Sequence, residues 1–384
     1  MKFLHLADLH LGKSLNAFSL IEDQKFILQE ILAIVKDRRP DCVLIAGDVY
    51  DQRTPHTDEI KLFDGFLNEI KALDIPVCII SGNHDDVTRL SFGADLMTPS
   101  GIYFAKEYTG EPQVVTLEDE YGKINIYLLP FMTPARVKHC FPDLAEKIDS
   151  YDSAFKLAVE KLNVDPAARN ILVAHQFVTG AIKSGSEKIN VGGLDNIGAD
   201  AFAVFDYVAL GHVHRPQNVG STKQIRYCGT PMKYSVDEYK QHKSATMVEM
   251  KAKGDLITQA FPLIPLRDLR RVEGTYEKLM LQESYTDFPK DSDGRLLDFY
   301  HIILKDEEDV PDVMLKLRSV YKNILQLEYH NQRTMFGGSL PETEVVAEKS
   351  KLELIQEFYA KQNNQEMGKE QQELVIKLLA ELGE

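Results

Sequence analysis

Short apolar runs alternate with amphipathic helical segments along the first half of the chain. Residues 23–38 and 57–73 repeat apolar side chains at helical spacing opposite a polar face. The runs between and after them are short and rich in Val and Ile, which is typical of buried strands. They read "KFLHLA", "CVLIA", "IPVCIIS", "KINIYLLP", "RNILVA" and "DYVAL", with further strands expected across 225–250. This pattern predicts a layered α/β domain, a β-sandwich flanked by helices.

The pattern changes near residue 265. Residues 266–335 mix strand-like runs with a predicted helix over 311–321, which indicates a small α+β capping domain. Residues 336–344 ("FGGSLPETE") are typical of a linker, and 345–384 predict two amphipathic helices. The predicted domains are therefore 1–265, 266–335 and 345–384, with the linker between the last two.

Composition and charge narrow the class of protein. The chain has 384 residues, 44% of them hydrophobic, so it can build a real core. It shows no signal peptide, and no apolar run approaches the roughly 18 residues of a membrane span. Its four cysteines are scattered without a CxxC pair, so disulfides and a thiolate-bound zinc are not expected. We therefore expect a reduced, cytoplasmic protein.

The net charge of −15 argues against a simple nucleic-acid binder, which usually carries a basic face. However, net charge averages over surfaces, and bound divalent cations would offset clustered acids locally. Charge alone does not decide the function.

Five predicted strands of the first domain each end in Asp, Asn or His. Functional groups collect at the carboxyl ends of strands in α/β sheets. Taken singly, an Asp-x-His is usually a turn and a lone His is usually a core residue. Together at five strand ends, these residues predict one shared site. The motifs are Asp8-Leu9-His10, Gly47-Asp48, Gly82-Asn83-His84-Asp85, Ala174-His175 and Gly211-His212-Val213-His214.

These residue types suit a pair of divalent cations about 3.5–4 Å apart, which can hold both the attacking and the leaving oxygen of a phosphoryl displacement. Asp48 is the natural bridge between them. His84 lies next to a candidate ligand and is placed to act as an acid or charge stabiliser, with Asp85 orienting it. Nitrogen and oxygen donors without thiolate favour Mn²⁺, although raw affinity would favour zinc.

The motifs resemble those of the calcineurin-like metallophosphoesterase superfamily and, within it, the bacterial SbcD nuclease subunits. The likeness covers about residues 1–250, while the segment after 265 matches only in size and placement. It implies that Asp48 bridges two metals, one completed by Asp8, His10 and His214 and the other by Asn83, His175 and His212. The segments that carry it are "HLADLHLG", "AGDVYD", "SGNHD", "SGSEKINVGG", "VALGHVHRPQ" and "RYCGTPMKYS".

The resemblance implies a Mn²⁺-dependent DNA nuclease of repair, recombination and replication. It would be a 3′→5′ exonuclease on duplex ends and an endonuclease on single strands and hairpins. Its partner would be an SbcC-type ABC ATPase with a long coiled coil. The nuclease subunits would form a homodimer within a heterotetramer, with contacts from helices over 57–73 and 87–97. The C-terminal helices would dock on the ATPase, although they could instead fold back onto the cap.

Basic residues near the motifs are candidate DNA contacts, although a solvated surface role suits each of them equally well. They are Arg53, Arg89, Lys183, Lys188 and Arg215.

Two other functions remain open. The same ligands would serve a metallophosphoesterase acting on nucleotides or phosphoproteins, against which the C-terminal segments and the stretch 184–235 argue. A non-catalytic scaffold for an ABC ATPase would have lost ligands, and none is lost here.

Overall fold

The computed structural model describes residues 1–185, 196–220, 224–331, 350–363 and 366–381. The chain forms two compact units, Met1–Asp268 and Leu269–Glu384. The predicted linker over 336–344 lies outside the described residues.

The first unit contains six α-helices and sixteen strands among its described residues. Helices α1–α6 span Ile21–Arg38, Thr57–Lys71, Val87–Leu90, Ala94–Met97, Pro134–Cys140 and Tyr151–Lys161. Strands β1–β8 span Lys2–Leu6, Ser14–Leu15, Phe18–Ser19, Cys42–Ala46, Val77–Ile80, Ile102–Phe104, Val114–Asp119 and Gly122–Leu129. Strands β9–β16 span Arg169–His175, Phe177–Val178, Asn196–Ile197, Tyr207–Gly211, Gln217–Asn218, Ile225–Tyr227, Ser244–Met250 and Leu256–Pro262.

Two six-stranded sheets organise this unit. The first has the order β16-β15-β1-β4-β5-β6, in which β1, β4, β5 and β6 run parallel. The second has the order β13-β14-β12-β9-β8-β7, in which β14, β12, β9 and β8 run parallel. Parallel strands end at the same edge of a sheet, so each sheet brings its own set of strand ends together.

Apolar side chains of both sheets form a common core. Phe3 and Leu44 of the first sheet cluster with Ile171, Val173 and Tyr207 of the second, and all of them are fully buried. Successive strand residues point to opposite faces, so the alternate positions of β9 and β12 lie in another apolar cluster, which also holds α6 residues. These strands are buried on both faces, which explains their unbroken apolar runs.

The predicted α/β sandwich is confirmed, but two helical boundaries differ from expectation. The helix predicted over 57–73 ends at Lys71. The helix predicted over 87–97 is two four-residue helices, α3 and α4. The break falls at Gly93, whose φ of +74° lies in the left-handed region that glycine adopts without a steric penalty.

The second unit contains a parallel three-stranded sheet in the order β17-β18-β19. Its strands span Leu269–Gly274, Leu296–Leu304 and Tyr321–Tyr329, and helices α7–α10 span Tyr276–Met280, Val313–Leu317, Lys351–Asn363 and Lys369–Glu381. The helix predicted over 311–321 is wrong in length, because α8 is shorter and Tyr321 begins a strand. The Tyr321 ring is buried edge-on against Tyr300, with centroids 4.9 Å apart, so packing outweighs local helical preference.

None of the helices among the described residues combines the length and the apolar character that a membrane span requires.

Candidate metal centre

The five motif-bearing strand ends meet in the first unit. Strands β1, β4 and β5 of one sheet and β9 and β12 of the other all present their carboxyl ends to this place. Carboxylate oxygens and imidazole nitrogens from different strands lie within 4.8 Å of one another there. They form three overlapping groups: Asp8, His10 and His214; His10, Asp48 and His84; Asp8, Asp48 and His175.

Four of the predicted ligands have an unusual backbone conformation. The φ angles of Asp8, His10, Asp48 and His212 are +52°, +43°, +48° and +99°. Such values are uncommon in residues other than glycine and are maintained only where the surrounding structure enforces them. Backbone hydrogen bonds from Asp8 N–H to Gly47 O (3.0 Å) and from His10 N–H to Asp48 O (2.9 Å) tie two of these turns together.

Glycines allow the strand ends to approach closely. A Cβ atom on Gly82 would lie 2.1 Å from Asp48 Oδ1 and 2.5 Å from its backbone nitrogen. A Cβ atom on Gly211 would lie 1.9 Å from the Ala46 carbonyl oxygen. Both distances are far inside van der Waals contact, so only glycine permits this convergence.

The first donor group centres on His10 and His214. Their Nε2 atoms lie 3.2 Å apart, and His10 Nε2 lies 3.6 Å from Asp48 Oδ2. On the far side of each ring a carboxylate faces Nδ1: Asp51 Oδ1 lies 3.2 Å from that of His10, and Glu238 Oε1 lies 3.5 Å from that of His214.

These carboxylates favour a proton on Nδ1 of each ring and leave both Nε2 atoms without one. Burial lowers the pKa of His10 to about 4 and also lowers the pKa of His214, although Asp51 and Glu238 oppose the shift. Two bare, neutral Nε2 atoms this close would repel each other. The arrangement fits a cation that both nitrogens bind, which is the behaviour of metal ligands.

The second donor group centres on Asn83. Its Oδ1 atom lies 3.0 Å from His175 Nε2 and 2.9 Å from His212 Nδ1. His175 Nε2 also lies 3.4 Å from Asp48 Oδ2, while its Nδ1 donates a hydrogen bond to the Ala46 carbonyl at 2.8 Å. Asp48 therefore lies between both donor groups, as a bridging ligand must.

Electrostatics at this second group favour positive charge. Burial alone would lower the pKa of His175, but the carboxylates of Asp48 and Asp8 raise it to about 9. Burial likewise acts to raise the pKa of Asp48, and His175 and His10 overcome it and lower the pKa. A carboxylate, a carboxamide oxygen and imidazoles around a point that favours a cation are suitable ligands for a divalent metal.

His84 lies at the edge of the first donor group. Its ring packs edge-on against that of His10, with centroids 4.8 Å apart. Its Nδ1 lies 2.9 Å from the Asp51 carbonyl oxygen, which fixes the ring orientation, and its backbone N–H donates to Asp48 Oδ1 at 2.8 Å.

Asp85, which the sequence predicts to orient His84, binds backbone groups of two neighbouring loops. Its carboxylate accepts hydrogen bonds from three backbone N–H groups, those of Val49 (3.1 Å), Tyr50 (2.9 Å) and Gly82 (2.9 Å). It thus joins the loop after β4 to the loop after β5. Burial and the neighbouring Asp48 carboxylate raise the pKa of Asp85 to about 6.

Sequence reasoning missed the residues that support the histidines. Lys243 Nζ lies 2.6 Å from Glu238 Oε2 and donates to the His214 carbonyl at 2.9 Å, and both Lys243 and Glu238 are buried. His214 and Lys243 lower the pKa of Glu238 to about 2, against the effect of burial, which would raise it. Asp51 similarly contacts Lys13 at 2.9 Å. No local motif marks these pairs, although a carboxylate behind each histidine ligand is a general feature of metal sites.

The residues predicted to contact DNA differ in their exposure to solvent. Arg53, Arg89 and Arg215 are exposed. Lys183 is half-buried, with Nζ 3.8 Å from the centroid of the Phe177 ring. That ring in turn lies 6.4 Å from the His212 ring, so the Lys183 ammonium is close to the second donor group. Lys188 lies outside the described residues.

Two family models match the sequence. Residues 1–216, more than half of the chain, match the model described as calcineurin-like phosphoesterase. Residues 265–363 match SbcD_C, described as the type 5 capsule protein repressor C-terminal domain.

Three solved structures resemble this chain in part. A dimetal phosphatase from Danio rerio is 11% identical, with 68% of this chain and 96% of that chain covered and a TM-score of 0.39. The phosphopantetheinyl hydrolase of Mycobacterium tuberculosis is 15% identical, with 60% of this chain and 90% of that chain covered and a TM-score of 0.34. Yfce, a phosphoesterase from E. coli, is 12% identical, with 69% of this chain and 100% of that chain covered and a TM-score of 0.27. At such TM-scores these likenesses add nothing to the family match.

The donor set can hold two divalent metal ions, and the family match covers all five strand ends that build it. The chain belongs to the calcineurin-like phosphoesterase family and carries an SbcD-type domain over its C-terminal region.

Proposed function

We propose that the protein is the DNA nuclease subunit of an SbcCD-type complex and hydrolyses phosphodiester bonds with two Mn²⁺ ions. The observation that carries this proposal is the combination of a complete two-metal donor set with an SbcD-type C-terminal domain on the same chain. A general phosphatase of this family needs the first feature but not the second.

Each site residue has a role in this proposal. Asp48 would hold both cations; Asp8, His10 and His214 would hold one with it, and Asn83, His175 and His212 would hold the other. Bound divalent cations supply charge stabilisation on the phosphate and activate water for attack. His84, oriented by the Asp51 carbonyl, donates a hydrogen bond or proton to a phosphate oxygen. Asp85 maintains the two loops that carry Asp48 and Asn83.

Positive side chains close to the centre would contact the DNA backbone. Lys183, Arg53 and Arg215 are the best placed of the described candidates, because the first lies beside the second donor group and the others lie in loops that carry proposed ligands. With a net charge of −15, the chain needs a partner that supplies further cationic surface. An ABC ATPase with a coiled coil is the partner that we propose.

Exposed apolar side chains support a homodimer. Phe92 and Leu96, at and just after the break between α3 and α4, are 83% and 86% exposed, and Ile60 of α2 is 47% exposed. Large apolar groups this exposed are typical of a protein contact surface. They fall in the segments 57–73 and 87–97 that the resemblance implies for dimer contacts.

The proposal is tested by incubating the purified protein with Mn²⁺ and end-labelled single-stranded and hairpin DNA, beside p-nitrophenyl phosphate and bis(p-nitrophenyl) phosphate. We expect cleavage of both DNA substrates, and duplex-end digestion when the ATPase and ATP are added. Hydrolysis of the small esters without any DNA cleavage would favour a phosphatase instead. No hydrolysis of any substrate, with metal bound, would favour a scaffold.

A further inference from the structure

A pocket of about 400 Å³ opens beside the candidate metal centre, and none of the proposed ligands lines it. Its walls include Val87, Pro130, Phe131 and Ala135, with Arg136 and His139 among the polar groups. All of these residues belong to the unit Met1–Asp268. A concave site of this volume, lined by both apolar and polar groups, suits a small molecule that carries both.

Phe131 connects the pocket to the metal centre. Its ring lies edge-on to the ring of His175, with centroids 6.3 Å apart. Its backbone N–H donates to the Ser81 carbonyl at 2.9 Å, directly before the turn that carries Asn83. Phe131 also lines the pocket. A group bound there would therefore lie next to a phosphate held at the second donor group.

The charges around the pocket do not favour a phosphate inside it. Arg136 Nε donates to the Tyr108 carbonyl at 2.8 Å, and its Nη2 lies 2.8 Å from Glu107 Oε2. The guanidinium is therefore already compensated, and Glu107 also lines the pocket. A ligand with an aromatic ring and polar groups at the ring edge suits this lining. Its flat π face would stack on a side chain such as Phe131, and its edge atoms would form hydrogen bonds with the polar groups of the pocket.

We propose that this pocket binds a nucleobase of the DNA substrate, that of the nucleotide next to the phosphate being cleaved. The proposal rests on the nuclease function and adds a subsite to it. A base enters such a pocket only after leaving its stack, which is easiest in single strands, hairpin loops and frayed ends. The pocket would therefore favour unpaired substrate at the cleavage position.

The test uses the full-length protein in EDTA, so that binding is measured without cleavage. The probes are six-nucleotide single strands with the fluorescent adenine analogue 2-aminopurine placed at each position in turn. Ala135→Trp fills the pocket from an exposed position, and Phe131→Leu removes the aromatic face while keeping an apolar side chain. Ala167→Trp is the matched control, an exposed alanine just before the amino end of β9 that does not line the pocket.

We expect the wild type and Ala167→Trp to change the 2-aminopurine fluorescence at one position. Each pocket variant should weaken that change at least fivefold. The responding position should adjoin the bond that Mn²⁺ later cleaves in the same strand. No fluorescence change with the wild type, or a full change with both pocket variants, would overturn the proposal.

A different result would contradict the nuclease function itself. If Mn²⁺ supports hydrolysis of bis(p-nitrophenyl) phosphate but not of the strand, the protein is not a DNA nuclease, whatever the fluorescence shows. Cleavage of the strand without a pocket-dependent signal would retain the nuclease and remove the base subsite.

Discussion

Asp48 is the residue on which both donor groups depend. Its Oδ2 atom lies 3.6 Å from His10 Nε2 and 3.4 Å from His175 Nε2, and its Oδ1 accepts from the His84 backbone. Asp48→Ala should therefore remove both metals and reduce Mn²⁺-dependent cleavage to below a few per cent of wild type. Metal content by mass spectrometry and cleavage of labelled DNA check this. Asp95→Ala, at an exposed position on α4, is the control and should retain both metals and the cleavage activity.

His84 should act on the substrate without holding a metal. We expect His84→Ala to lower turnover by about 10²–10⁴-fold, the usual contribution of an acid or base catalyst. Metal content and DNA affinity should stay near wild type, because the other donors are intact. A variant purified with one metal missing per chain would instead identify His84 as a ligand.

Glu238 is a positioning residue for His214. Removing its charge should weaken the preference for a proton on His214 Nδ1, and carboxylates in this role contribute about 10–100-fold to metal affinity. Glu238→Gln should therefore need about 10–100 times more Mn²⁺ for half-maximal activity, with activity recovered at saturating metal. Glu160→Gln, at an exposed site on α6, should leave the Mn²⁺ titration unchanged. A loss that excess Mn²⁺ does not restore would argue for a purely structural role.

At the scale of elements, the strand ends are held at distances that only glycine permits. Gly82→Ala would place a methyl group 2.1 Å from Asp48 Oδ1, so Asp48 must move away from its position between the two donor groups. We expect at least a 100-fold loss of activity and loss of bound metal. Gly65→Ala is the matched control: the added Cβ meets nothing within 4 Å, and the residue lies on the exposed face of α2.

The control should also be more stable than wild type. Alanine in a helix interior is favoured over glycine by about 0.5–1 kcal/mol, because glycine loses more backbone freedom on folding. Thermal unfolding of Gly65→Ala and Gly82→Ala, compared with that of the wild type, measures the change in stability that each substitution causes. Equal activity of the two variants would contradict the close approach of β5 and β4 at the metal centre.

The buried strands and the donor motifs could be read from the sequence because each is local. An apolar run specifies a strand buried on both faces, and the polar residues that follow it mark the strand end. The supporting pairs are not local: Glu238 lies 24 residues after His214 in the chain, and nothing near it distinguishes a buried glutamate from a solvated one. The helix predicted over 311–321 fails for a related reason, because Tyr321 is committed to a strand by packing against Tyr300.

At the scale of the whole molecule, the chain carries an excess of acidic residues, to which its C-terminal segment contributes. The chain has 59 Asp and Glu residues against 44 Lys and Arg. The C-terminal residues 341–384 contribute ten acidic residues and five lysines, which makes this stretch a poor DNA-binding arm. Its helices α9 and α10 pack together, with Gln371 Nε2 donating to Tyr359 Oη at 2.9 Å.

Helix α10 presents an apolar stripe that we propose docks on the ATPase. Leu374 and Leu378, one helical turn apart, are 57% and 49% exposed, and Phe358 of α9 is 65% exposed. An amphipathic helix with such a stripe commonly lies in a groove of a partner protein. Since the stripe is exposed, changing it to charged residues should leave the fold intact.

The double variant Leu374→Glu, Leu378→Glu should therefore keep Mn²⁺-dependent cleavage of single-stranded DNA but lose co-purification with the ATPase and ATP-dependent digestion of duplex ends. Leu315→Glu, on α8 of the same unit and 75% exposed, is the matched control. It should retain both cleavage activities and co-purification with the ATPase. Co-expression of tagged ATPase with each chain, followed by the two cleavage assays, makes the comparison. If the double variant binds the ATPase with unchanged affinity, the stripe has another partner, because its exposed leucines would then contribute nothing to this interface.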